Sequence, residues 1–132
     1  MNEKIKRITS GGIWEHLNVK VIEAKNGKSV IELPVEPNLK QVHGVLHGGM
    51  IATLLDMSMA LAASTDLAEN EFTTTHDLSV KYLRPMFGNT LRCEGEVLKK
   101  GKRVTVMNAY AYDEEGELIA TCTGSFINLH SK

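Results

Sequence analysis

Residues 50–63, MIATLLDMSMALAA, are apolar on every face except for small hydroxyls and one acid, Asp56. A run of this kind predicts a helix, from about 48 to 64, that protein covers all round. Four segments behind it, 72–83, 90–99, 103–113 and 118–129, are rich in β-branched and aromatic residues and predict strands. Arg84 to Asn89, Lys100 to Lys102 and Asp113 to Gly116 supply the turns between them, so the four strands read as an antiparallel meander. Ahead of the helix, 19–24 and 29–35 flank Asn26-Gly27, a hairpin signal, and Pro34 and Pro37 close the second strand and open a loop. Ile5, Ile8, Ile13, Trp14 and Leu17 recur at helical spacing broken by Ser10-Gly11-Gly12, which predicts one or two short helical turns acting as a lid or packing arm. Two strands, one long helix and four more strands fit an α+β fold in which a highly curved sheet wraps its own helix.

Composition narrows the possibilities without choosing among them. The chain has 132 residues, enough for one compact domain over 1–132 with a modest core. Fifteen basic side chains stand against 16 acidic ones, which favours neither a nucleic-acid surface nor a polybasic membrane patch. The N-terminus has no continuous apolar segment of the secretory kind, and no uncharged stretch is long enough to span a bilayer, so the expectation is a cytoplasmic protein. Cys93 and Cys122 lack CxxC spacing and lie in strand-like segments, as buried thiols of a reducing compartment do. Neither a P-loop, GxGxxG, HExxH nor a paired-cysteine motif is present, so the pattern implies no metal or organic cofactor.

The candidate chemistry is concentrated where the helix begins. His47-Gly48-Gly49 would present bare backbone N–H groups at the positive end of the helix dipole, where they can polarise a carbonyl or hold an anion. Asp56, an acid on an apolar helix, needs partners or a purpose. Eight residues separate it from Gly48, roughly 12 Å of axial rise, too far for both to meet one reacting carbonyl. Two copies of the helix packed antiparallel about a two-fold axis would bring Gly48 of one beside Asp56 of the other. The expectation is a homodimer with shared sites.

With these residues in view, the chain resembles the hotdog-fold thioesterases, in particular the PaaI-like branch acting on acyl-coenzyme A. The resemblance runs over nearly the whole chain: Gly44-x-x-His47-Gly48-Gly49 entering a helix with Asp56, Tyr82-Leu83-Arg84-Pro85 before Gly88-Asn89-Thr90-Leu91, and a last strand with Ala120 and Phe126. It implies the hotdog fold, a dimer and often a dimer of dimers. One position departs from the branch: three residues before Gly44 stands Gln41 where Asn is usual, whereas a neighbouring branch pairs Gln with a helical Glu. The chain is thus a hybrid of two patterns, and its acyl group can be aromatic or aliphatic.

Thioester hydrolysis needs a polarised carbonyl, a nucleophile and a place for the leaving thiolate. Gly48 N–H can serve the first need. Asp56 can act as general base for water or as nucleophile through an acyl anhydride; held instead by Thr53 or Ser58, it would be a structural acid. His47 orients the loop or helps bind the carbonyl, and Gln41 donates its amide to the carbonyl or holds water. The resemblance places a water-positioning hydroxyl at Thr75, with Thr73 and Thr74 adjacent, while His76 and Asp77 read as sheet packing and a rim pair. Coenzyme A phosphates call for a basic rim, for which Arg84, Lys99, Lys100, Lys102 and Arg103 are candidates, although the last four also suit a solvated hairpin tip. Met50, Met57, Met59, Met86 and Phe87 can line an acyl pocket or be core. The rival reading is a non-catalytic hotdog protein that binds acyl-CoA without cleaving it.

Overall fold

The computed structural model describes residues 2–131. Two short helices, α1 (Glu3–Thr9) and α2 (Gly12–His16), precede the hairpin of β1 (Lys20–Lys25) and β2 (Lys28–Pro34). A short 3-10 turn, Pro37–Leu39, leads to α3 (Gly48–Ser64), which is followed by β3 (Glu71–Tyr82), β4 (Thr90–Lys100), β5 (Val104–Tyr112) and β6 (Leu118–His130). The expected elements all form, with ends shifted by a residue or so. Asn26 and Gly27, at φ +53° and +74°, make the left-handed pair that a two-residue hairpin turn requires.

All six strands join one antiparallel sheet in the order β1-β2-β4-β5-β6-β3, and α3 packs against its inner face. This is the hotdog architecture. One expectation is corrected: only β4, β5 and β6 form a meander, and β3 does not pair with β4. The inner edge of β4 is already taken by β2, with Ser29 opposite Gly95, so β3 pairs with the free edge of β6, from Glu71↔His130 to Tyr82↔Ala120. β3 thereby becomes an edge strand, and most of its side chains are exposed.

The core lies between α3 and the inner strand positions. Leu54, Leu55, Met59 and Leu61 on the helix and Ile31, Leu33, Leu91, Met107 and Phe126 on the sheet are fully or almost fully buried. Ile5, Trp14 and Leu17 join them, so the N-terminal segment is a packing arm. The helix comes closest at Gly95, where an added methyl group would stand 2.5 Å from the Ser58 carbonyl oxygen; the buried Ser29 hydroxyl donates to that same carbonyl at 2.5 Å. A glycine inside a strand often marks such a backbone approach.

The all-round cover expected for α3 is not met within the chain. Gly49, Ala52, Thr53, Asp56, Ala60 and Ser64 make a stripe that the sheet leaves partly open. Cys93 and Cys122 are buried and free. They face Ala111 and Ala109 from opposite sides of β5, so two strand spacings, roughly 10 Å, hold them beyond disulfide reach. Burial pushes both thiols up, Cys122 to about 11, which leaves them poor nucleophiles. Among the described residues no helix is long and apolar enough to cross a membrane.

Candidate active site

Helix α3 carries both ends of the candidate chemistry. His47 is its N-cap residue, at φ −55° and ψ 134° and without a side-chain cap, while its own N–H donates to Leu39 O at 3.1 Å. The His47 carbonyl accepts from Met50 N and Ile51 N. Gly48 N–H and Gly49 N–H have no acceptor among the described residues, as the first turn of a helix dictates. They are donors available to a ligand. Among the described residues the exposed His47 imidazole has no hydrogen-bond partner.

Asp56 is half-buried, and its Oδ1 accepts from the Thr75 hydroxyl at 2.7 Å. The choice among three adjacent threonines is made by register: Thr75 lies opposite the buried Phe126 on the inner face, and a bulge at His76 then shifts the remainder of β3. Thr53 and Ser58, the alternative partners, donate to carbonyls of their own helix, Gly49 O and Leu55 O, both at 2.8 Å. Burial raises the Asp56 carboxyl above its ordinary value, against which the Thr75 hydrogen bond pulls it down. To act as a base or nucleophile it would have to be ionised. The acid limb of kcat/KM should accordingly lie at higher pH than an ordinary carboxylate would give, which a pH–rate profile measures.

The other candidates fall into distinct settings. Gln41 closes its own loop: its side-chain oxygen accepts from His43 N at 2.5 Å and its carbonyl from Gly44 N at 2.9 Å, which leaves the side-chain amide free to donate. Arg84 is held by Glu117 at 3.4 Å and by Leu118 O at 3.2 Å, close to the helix start. Lys100 donates to Asp66 O at 2.7 Å at the opposite end of α3, beside the exposed Lys99, Lys102 and Arg103. Within the chain the basic candidates therefore sit at two ends. Met59 and Met86 are fully enclosed, Met57 nearly so, Met50 is half-buried and Phe87 is 62% exposed. His76 and Asp77 are exposed, and among the described residues neither forms an ion pair.

A cleft of about 330 Å³ lies beside the helix start, lined by Leu46, Ile51, Tyr82, Leu83 and Met86 among others. A larger hollow of about 590 Å³, lined by Glu32, Arg92, Glu94 and Tyr112, opens on the outer face of the sheet. Those side chains alternate away from the inner positions facing α3, so the hollow is remote from Asp56 and Gly48. Tyr82, unassigned by sequence reasoning, reaches from the end of β3 and donates its hydroxyl to Gly48 O at 2.7 Å. Its place in the Tyr-Leu-Arg-Pro segment was the only signal.

Comparison with known proteins decides the family: the sequence profile of the thioesterase superfamily matches residues 43–120, which include the helix start, Asp56, Thr75 and Tyr82. The chain belongs to the thioesterase superfamily. It is a thioester hydrolase of that superfamily. It is 36% identical over 120 residues to a Saccharolobus solfataricus protein provisionally named an esterase, covering 91% of this chain and 85% of the relative. It is 29% identical to acyl-coenzyme A thioesterase 13 of Homo sapiens, over 91% of this chain and 88% of that one. The structure of a thioesterase family protein from Silicibacter pomeroyi superposes with a TM-score of 0.92 at 28% identity, covering 98% of both chains.

Proposed function

We propose that this thioesterase hydrolyses an aromatic or a short- to medium-chain acyl-CoA to the free acid and coenzyme A, in sites shared between two subunits. The carrying observation is Asp56, held by Thr75 on a partly open stripe of α3, on the same helix as the free amides of Gly48 and Gly49 but about 12 Å along it. In the reaction, Gly48 N–H of one subunit stabilises the charge developing on the thioester oxygen. Asp56 of the partner subunit either takes a proton from the attacking water or attacks the carbonyl itself, forming an anhydride that water then opens. Both routes expel the CoA thiolate. Thr75 fixes one Asp56 oxygen and leaves the other to act, the Gln41 amide would hold the carbonyl or the water, and His47 would support the loop.

The dimer reading draws on three features. β3 has an unpaired edge, the α3 stripe consists of small residues that permit close helix contact, and Val42 (93% exposed), Tyr82, Leu83 and Phe87 surround the helix start with uncovered apolar surface. Antiparallel helices would also bring Arg84 of one subunit toward Lys99, Lys100, Lys102 and Arg103 of the other, assembling a rim for the CoA phosphates. Met50, Met57 and Phe87, backed by Met59 and Met86, would then shape the acyl pocket. Further pairing into a dimer of dimers belongs to the same reading.

Thiol release from phenylacetyl-, hydroxybenzoyl- and short and medium aliphatic acyl-CoAs tests the substrate. Acyl-CoA binding without release from any of them would make this a sensing protein. Sharing of the site has its own test in Gly48→Pro. Proline suits the first helical position, and the ψ of 134° at His47 is one that a residue before proline adopts, so the change removes the N–H without breaking the helix. Gly48→Pro and Asp56→Asn homodimers should both be inactive, and co-expression should restore activity because each mixed dimer keeps one intact site. Absence of any recovery in isolated mixed dimers would place both residues in one subunit's site.

A further inference from the structure

We propose that Tyr82 is a positioning residue for the backbone donors at the start of α3, a role that rests on the thioesterase reading of that helix end. Gly48 and Gly49 have no side chains to anchor them, and glycine has the widest choice of backbone conformations. Donors that stabilise a transition state must nonetheless be fixed beforehand. Three hydrogen bonds from outside the helix fix this segment: Leu46 N to Met86 O at 2.9 Å, His47 N to Leu39 O at 3.1 Å, and the Tyr82 hydroxyl to Gly48 O at 2.7 Å. Of these three, the Tyr82 bond is the one made to the Gly48–Gly49 peptide itself.

Its target makes it more than a brace. The Gly48 carbonyl and the Gly49 N–H belong to one amide, so a hydrogen bond accepted by the oxygen strengthens the N–H as a donor. It also fixes the amide plane following Gly48, and the Tyr82 ring lies against the glycine, with a methyl group at 48 touching the ring at 3.4 Å. Tyr82 is itself held. It closes the β3–β6 ladder opposite Ala120, and the next residue, Leu83, donates to Ile119 O at 2.8 Å. In the single chain Tyr82 is 52% exposed, so its hydroxyl bond adds little to the stability of the fold itself. The position of the bond, on the one peptide between two free donors, points to donor geometry.

Tyr82→Phe keeps the ring and removes the hydroxyl. Its kcat should fall about three- to tenfold, the size of one net hydrogen bond, with KM within about twofold and the melting temperature unchanged. In amide proton–nitrogen spectra the Gly49 resonance should move upfield as its amide loses polarisation. Wild-type kcat in the variant, or a Gly49 resonance left in place, overturns the inference. A wild type that cleaves no thioester refutes the functional reading instead, and the Gly49 resonance alone then decides whether Tyr82 sets these donors.

Discussion

Asp56→Asn should yield a folded protein whose turnover of the best acyl-CoA is at least roughly a hundredfold slower, the lower end of what removing a general acid or base costs. The fold is expected to survive because asparagine keeps the shape of aspartate and an oxygen to accept the Thr75 hydroxyl, now 2.7 Å from Asp56. Stability should not fall either. Burial raises the Asp56 pKa in the folded protein, so its charged form is disfavoured there. Stability linked to this group is fully present below its unfolded pKa and is lost as pH rises through the higher folded value. At neutral pH the wild type carries that loss and the variant does not, so thermal unfolding should show an equal or higher melting temperature for Asp56→Asn. Equal turnover in the two proteins would remove Asp56 from the chemistry. The two routes open to the carboxylate separate in a single turnover in ¹⁸O water: general-base attack labels the product acid directly, whereas water opening an anhydride at the Asp56 carbonyl leaves the label on the enzyme.

The second large effect is structural. Gly95→Ala should destabilise the protein by about 3 kcal/mol and lower its melting temperature by roughly 10 °C, as measured by calorimetry or circular dichroism. Elsewhere in a compatible backbone, glycine to alanine stabilises by about 0.4–1 kcal/mol through the unfolded chain. Here the new methyl would stand 2.5 Å from Ser58 O, 2.7 Å from Ser58 C and 3.0 Å from Met59 N. These are backbone atoms of α3, which no rotamer change can move aside. Steric overlap therefore outweighs the entropy gain, and relief requires the helix to lift from β4 and the Ser29–Ser58 hydrogen bond to stretch. Gly49→Ala is the control: nothing lies within 4 Å of its added methyl, and alanine is the better helix former, so stability should hold or rise slightly. A Gly95→Ala protein as stable as the wild type would show that α3 can shift on the sheet at little cost.

Gly95 also marks a limit of sequence reasoning. CEGEV shows that a glycine interrupts an alternating strand, but only the packed helix shows that the missing side chain makes room for the Ser58 carbonyl. Thr75 is a similar case. Three consecutive threonines are indistinguishable by type, and selecting one depended on the pairing of β3 with β6 and on the bulge at His76. The cysteines needed the strand order before the separation between them was defined. Tyr82 and Gly48 are 34 residues apart, and no local pattern announces their contact.

The sequence by itself determined the parts whose causes are local. A run apolar on every face predicted α3, strand-like runs set off by turn residues predicted the strands, Asn26-Gly27 predicted the hairpin, and His47-Gly48-Gly49 with Asp56 supplied the candidates for chemistry, because helices, strands and turns depend on neighbours a few residues away. Tertiary structure alone decided that β3 leaves the meander for the far edge of the sheet, that α3 keeps an open stripe, and which hydroxyls reach Asp56 and Gly48. Those outcomes depend on strand register, where a single extra residue turns every later side chain to the other face, so the whole set of pairings must be in place before any one contact is defined.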